Sequence, residues 1–186
     1  KFNKIKCVIG GNYGFPACEI KDPGQNGIII LELSSYQLDS AKKLSLDLAT
    51  ITNITKDHLD YHETFKKYKL SKLKILNFLK ENGTFILDAD NKLLNEMVNK
   101  KKFKSKNIIK ITKDKTYNYV NDNDYLQGAH NASNCSLAVS IAKHLNINLE
   151  KIKFAIENFN KFKKSNKYLI LGDMLELGKF SKILHK

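Results

Sequence analysis

Four consecutive aliphatic residues, Ile28-Ile29-Ile30-Leu31, stand between the turn-forming Asp22-Pro23-Gly24-Gln25-Asn26-Gly27 and the mostly polar Glu32-Leu33-Ser34-Ser35-Tyr36-Gln37-Leu38. An uninterrupted aliphatic run bounded by turn residues reads as a strand buried on both faces, the condition of a parallel sheet covered by helices. Glu32 closes that run. In open α/β sheets ligands gather beyond the carboxyl ends of the strands, so an acid there is placed to hold a metal or polar ligand. On its own it is equally an acid emerging from the sheet.

Strand-like and helix-like segments alternate along the remaining chain. Ile5 to Ile9, Leu46 to Ile54, Thr84 to Leu87 and Asn107 to Ile111 read as strands. Phe15 to Glu19 opens a helix, and Tyr36 to Leu44, Phe65 to Leu79, Asn91 to Val98, Cys135 to Ala142 and Leu149 to Phe159 carry helical spacing. Asn82-Gly83 reads as the stop of the long lysine-rich helix, and Asn118 to Asp124 as a loop between short strands of a small separate sheet. The alternation predicts an α/β fold of three layers, a mostly parallel sheet with helices on both faces, plus a short C-terminal β-α unit. A central domain over 1–162 is expected, with 163–186 as linker and the start of a truncated C-terminal domain.

Composition limits the partners. The net charge of +13 suggests nucleic acid, but all 32 basic residues are lysine and none is arginine, the residue that supplies bidentate contacts to base and phosphate. Lysine and asparagine enrichment on every surface accounts for the charge instead, so nucleic acid is not the expected partner. Cys7, Cys18 and Cys135 are odd in number and lack metal-ligand spacing, which reads as reduced, buried thiols. No signal peptide or membrane-length apolar run stands out, so a cytoplasmic protein without a membrane partner is expected. A chain that begins at Lys1 reads as a fragment or a processed product.

Three further clusters carry chemistry. Gly10-Gly11-Asn12-Tyr13-Gly14 follows the first strand, where backbone N–H groups can approach a phosphate or sugar, yet its spacing is neither a dinucleotide fingerprint nor a P-loop and a tight turn explains it as well. His58, flanked by Asp57 and Asp60 beyond a strand end, is a metal or phosphate candidate because carboxylates orient imidazole ligands. Asn131 and Asn134, three apart, share one face of a helix start. Their amides offer a donor and an acceptor to a nucleobase edge, or one of them caps the helix. Gly172 to Lys179 is not a phosphate loop, since the glycines are one residue too far apart and Phe180 stands where Ser or Thr belongs.

Taken together, Leu31-Glu32-Leu33-Ser34-Ser35-Tyr36-Gln37-Leu38, Asn53-Ile54-Thr55-Lys56-Asp57-His58-Leu59-Asp60, Lys69-Leu70-Ser71-Lys72-Leu73-Lys74-Ile75 and Gly128-Ala129-His130-Asn131-Ala132-Ser133-Asn134 resemble the central domain of the Mur ligases. Gly11-Asn12-Tyr13-Gly14 points to the D-glutamate-adding branch. The resemblance implies a P-loop-type central domain and an enzyme that forms an amide bond at the expense of ATP. A UDP-sugar peptide precursor and an amino acid would be its substrates, in peptidoglycan synthesis. It implies ATP and Mg2+ as cofactors, Glu32 and His58 as metal ligands, and His58 with Lys72 as catalytic groups, Lys72 being the lysine such enzymes carbamylate. It further implies that Asn131 and Asn134 face ATP, and that Asn12, Ser34 and Gln37 face the UDP-sugar peptide. The family's P-loop and uridine-binding domain are not in this sequence, and Gly172-Asp173-Met174-Leu175-Glu176-Leu177-Gly178 is similar to the D-alanyl-D-alanine-adding branch. The expectation is a truncated chain inactive by itself. The alternatives are a D-alanyl-D-alanine-adding or folylpolyglutamate-type ligase, or a non-catalytic basic binding remnant.

Overall fold

In a computed structural model that describes residues 5–100, 107–112 and 128–159, the strands among the described residues pair in parallel. The expected loop over Asn118 to Asp124, the linker, the C-terminal β-α unit and the second domain lie outside the described residues. The chain divides into two units: residues up to Lys42 together with His58–Lys74, and Lys43–Asp57 together with residues from Ile75 onward. The fold is α/β, as the alternation of segments predicts.

In the first unit β1 (Cys7–Gly11) pairs with β2 (Ile28–Glu32), Cys7 opposite Ile28 and Gly11 opposite Glu32. A single 3-10 turn, Ala17–Glu19, stands where a helix was expected, because Pro16 starts it without a side-chain cap and Ile20 returns to extended backbone. Then follow α1 (Ser35–Ser40), α2 (Leu59–His62) and α3 (Phe65–Leu73), with α1 packed on α3. The expectation of a β2 buried on both faces is not met. Successive strand residues point to opposite faces, and Ile29 and Ile30 are 48% and 49% exposed. Among the described residues this ribbon has two strands and no third.

The second unit holds the sheet β3-β4-β5, with β3 at Leu46–Thr50, β4 at Leu79–Asp88 and β5 at Asn107–Ile111. Here the burial argument applies to the central strand. Gly83 to Asp88 are all buried, and Phe85, Ile86 and Leu87 are wholly inaccessible to solvent. Asn82-Gly83 does not end a helix, because α3 has already given way to a 3-10 segment at Lys74. The pair sits inside β4, where the register against β3 jumps from Leu46–Leu79 to Leu48–Thr84. α4 (Lys92–Lys100) makes the crossover from β4 to β5 that parallel pairing demands, and α5 (Ala129–His144) packs against β4 and β5.

α5 ends by a complete hydrogen-bonded turn. Asn146 takes the left-handed conformation at φ 57°, its N–H donating to the Lys143 carbonyl at 2.9 Å, and the Ile147 N–H donates to the Ala142 carbonyl at 2.9 Å. Ile147 thereby joins the cluster of Cys135, Val139 and Ile152 that docks α6 (Leu149–Phe159) on α5. Of the three cysteines, all free, only Cys135 is buried, and that burial raises its thiol pKa. Cys7 and Cys18 are exposed, contrary to expectation.

A β-carbon-bearing residue without asparagine's local hydrogen bonding loses about 1 kcal/mol in left-handed backbone. Asn146→Ala is expected to lower the unfolding free energy by that amount, read as a lower urea midpoint at unchanged slope, and Asn146→Gly to hold or raise it, in equilibrium unfolding followed by circular dichroism.

Candidate functional site

Glu32 ends β2 half-buried and is tied to the turn after β1. The Asn12 N–H donates to the Glu32 carbonyl at 2.8 Å and Asn12 Nδ2 donates to Glu32 Oε1 at 3.3 Å. Gly11 makes this approach possible. It sits at φ 108°, and a β-carbon there would collide with the Glu32 carbonyl oxygen, so the glycine loop serves close backbone contact. The sequence-predicted residues Asn12 and Glu32 are therefore brought together, the amide orienting the carboxylate.

Ser34 and Gln37 also meet, as a capping box at the start of α1. The Gln37 N–H donates to Ser34 Oγ at 3.3 Å and the Ser34 N–H donates to Gln37 Oε1 at 2.9 Å. The box uses only the carbonyl oxygen of the Gln37 amide, so its NH2 group is not committed to the cap. His58 precedes α2 in left-handed backbone, φ 49° and ψ 37°, its carbonyl accepting the N–H groups of Tyr61 and His62. Left-handed non-glycine residues concentrate at functional sites. The His58 ring lies edge-on to Tyr36 at 4.8 Å.

Lys72 departs from the pattern of its helix. Lys66 and Lys67 are exposed, whereas Lys72 is 7% exposed with Nζ 5.3 Å from the Tyr68 ring centroid, and Tyr68 is itself buried. Lysine is almost never this buried without compensation, and the aromatic face supplies part of it.

Asn131 and Asn134 lie in the second unit, both half-buried in the opening turns of α5. Neither caps the helix. Gly128, at φ 100°, holds the N-cap position without a side-chain cap. Between the two asparagines, Ser133 Oγ donates to Asp88 Oδ2 at the end of β4, while Asp88 Oδ1 accepts the Asp90 N–H at 2.8 Å. Asp88 is 5% exposed, so this buried carboxylate fixes the register of α5. Thr50 Oγ1, at the carboxyl end of β3, is buried with no hydrogen-bond partner among the described residues.

The donor set fits a metal that arrives with a nucleotide better than a resident one. Among the described residues no three His, Cys, Asp or Glu side chains gather as a cation site. Mg2+ is commonly held by one or two carboxylates with water and substrate phosphates completing its shell. Glu32 suits that arrangement, and His58, a nitrogen donor, suits a hard cation less well.

Sequence reasoning missed Asp88 and His62. Asp88 closes the apolar run Phe85-Ile86-Leu87 as Glu32 closes its own, and His62 stands one helical turn after His58. Ser133→Ala leaves the Asp88 carboxylate short of a donor, and is expected to cost about 1–3 kcal/mol in chemical unfolding. Asp88→Asn combined with it should give less than the sum of the two single losses.

Comparison with known proteins gives a consistent assignment. Residues 19–167 match the family model described as the Mur ligase middle domain. The chain is 32% identical over 158 residues to the UDP-N-acetylmuramoylalanine--D-glutamate ligase of Zymomonas mobilis subsp. mobilis, an alignment covering 83% of this chain and 35% of that protein. It is 30% identical over 189 residues to the ligase of the same name from Rickettsia felis, with coverage of 90% and 41%, and 32% identical over 187 residues to that of Bacillus thuringiensis, with coverage of 87% and 39%. The chain thus spans well under half the length of these curated relatives. Among the described residues no helix is long and apolar enough to cross a membrane. With parallel α/β architecture and a family match over most of its length, this chain belongs to the Mur ligase middle-domain family.

Proposed function

We propose that this chain supplies metal- and nucleotide-handling residues of an ATP-dependent amide-forming ligase in peptidoglycan precursor synthesis, one that adds D-glutamate to UDP-N-acetylmuramoyl-L-alanine. The observation that carries the reading is Lys72, buried with its amine over the Tyr68 ring in a helix whose neighbouring Lys66 and Lys67 are exposed. The names of the similar proteins supply the reaction class. The reading sets the chemistry in the cytoplasm, where ATP drives it.

In such a reaction an oxygen of the substrate carboxylate attacks the γ-phosphorus of ATP, the bond to the β,γ-bridging oxygen breaks, and ADP leaves. The amine of D-glutamate then attacks the acyl phosphate, the amide bond forms, and inorganic phosphate leaves as the nitrogen gives up a proton. Mg2+, when bound, neutralises phosphate charge during transfer. Glu32, oriented by Asn12, and His58 serve as its ligands. Lys72 contributes a fixed cation, or a carboxylate-like group once carbamylated. Asn131 and Asn134 pair with the edge of adenine, and Asn12, Ser34 and Gln37 contact the UDP-sugar peptide.

Titration calorimetry of Mg-ATP into the chain tests this directly. Saturable binding is expected, weakened at least tenfold, about 1.4 kcal/mol, in Glu32→Ala. Absence of binding up to millimolar nucleotide, or equal binding by the variant, would remove the metal and nucleotide role.

A further inference from the structure

His62 is one of the most buried polar residues of the first unit, 4% exposed, and it touches the elements that carry the proposed site. Its ring Nε2 lies 3.0 Å from Ser35 Oγ on α1, a buried hydrogen bond. The Ser35 carbonyl in turn accepts Ser71 Oγ of α3 at 2.6 Å. Through its backbone His62 donates its N–H to the His58 carbonyl at 2.9 Å and accepts the N–H of Thr64, the N-cap of α3. The ring also meets Tyr61 edge-on at 4.8 Å and Tyr68 at 5.5 Å.

Four residues of this network belong to the proposed site or adjoin it. Ser35 follows Ser34, His58 begins the turn that His62 ends, Ser71 precedes Lys72, and Tyr68 lies under the Lys72 amine. The three helices have six, four and nine residues, too short to hold a relative position by their own backbone bonds. We propose that His62 is a positioning residue whose hydrogen bond to Ser35 sets the mutual register of His58, Lys72 and the α1 cap. The inference rests on the metal role given above to Glu32 and His58.

The experiment measures Mn2+ as a probe for the metal position, by electron paramagnetic resonance with ATP present, on the whole chain and three variants. His62→Phe keeps a ring but deletes the hydrogen bond. His62→Gln keeps a polar nitrogen near the Nε2 position but deletes the ring, and Ser35→Ala removes the bond from the other side with minimal change in volume. Outer-shell partners of metal ligands typically set affinity by about 10–100-fold. His62→Phe and Ser35→Ala are expected to weaken Mn2+ binding at least tenfold, with His62→Gln restoring it to near the wild-type value. Thermal midpoints are expected not to follow that order. Wild-type affinity in Ser35→Ala overturns the inference alone, and so does a His62→Gln variant as weak as His62→Phe. A wild-type chain that binds no Mn2+ overturns the metal reading and the inference with it.

Discussion

Thr84 to Ile86 pair with a parallel strand on each side, Leu87 and Asp88 continue the ladder to β5, and the need to bury this segment organises the second unit. A central parallel strand has no solvated face, so its side chains must be apolar on both sides, as Phe85, Ile86 and Leu87 are. Parallel pairing also requires the chain to cross back between strands, and α4 makes that return. Where β4 gives way to α4, the Asn95 amide donates to the carbonyls of Asp88, Ala89 and Asn91, so backbone groups with no strand partner are satisfied at the exit. Asp88 ends the strand inside the protein, where an unpartnered carboxylate would be costly. The hydroxyl of Ser133 meets that need, and Asn131 and Asn134 are carried in on the same helix.

The first unit solves a different problem. Three short helices cannot persist in water on propensity alone, so tertiary contacts must hold them. At one end Ser35, His62 and Ser71 form the buried polar link. At the other the Lys74 ammonium donates to the Asp39 carbonyl at 2.6 Å and to its carboxylate at 3.1 Å, a cation placed at the carboxyl end of α1. The second link is half in solvent and contributes little by itself. The buried one has more at stake, since losing either partner strands a polar atom away from water.

The alternation of elements and the position of Glu32 at a strand end could be read from residue patterns, because aliphatic runs and turn residues act locally. The burial of β2 could not. A four-residue aliphatic run states what a strand can tolerate, and whether layers cover it depends on pairing decided elsewhere in the chain. Helix α3 was legible only in part. Its apolar Tyr68 and Leu73 are buried as helical spacing predicts, yet Ser71 and Lys72, one turn on from Tyr68, are buried with them. Polar residues at inward positions break the rule that a sequence reader applies, and such breaks concentrate where a protein has chemistry to do.

Lys72 shows how composition can hide a site. In a chain whose 32 basic residues are all lysine, a lysine carries almost no information by its identity, and only its surroundings distinguish it. Solvated lysines such as Lys66 and Lys67 need nothing from the fold. A buried lysine must recover lost hydration from its neighbours, and Tyr68 offers an aromatic face at a distance where a cation is attracted to it. Leucine would fill the same inward position without that cost, so the burial of Lys72 is a feature that packing alone does not explain.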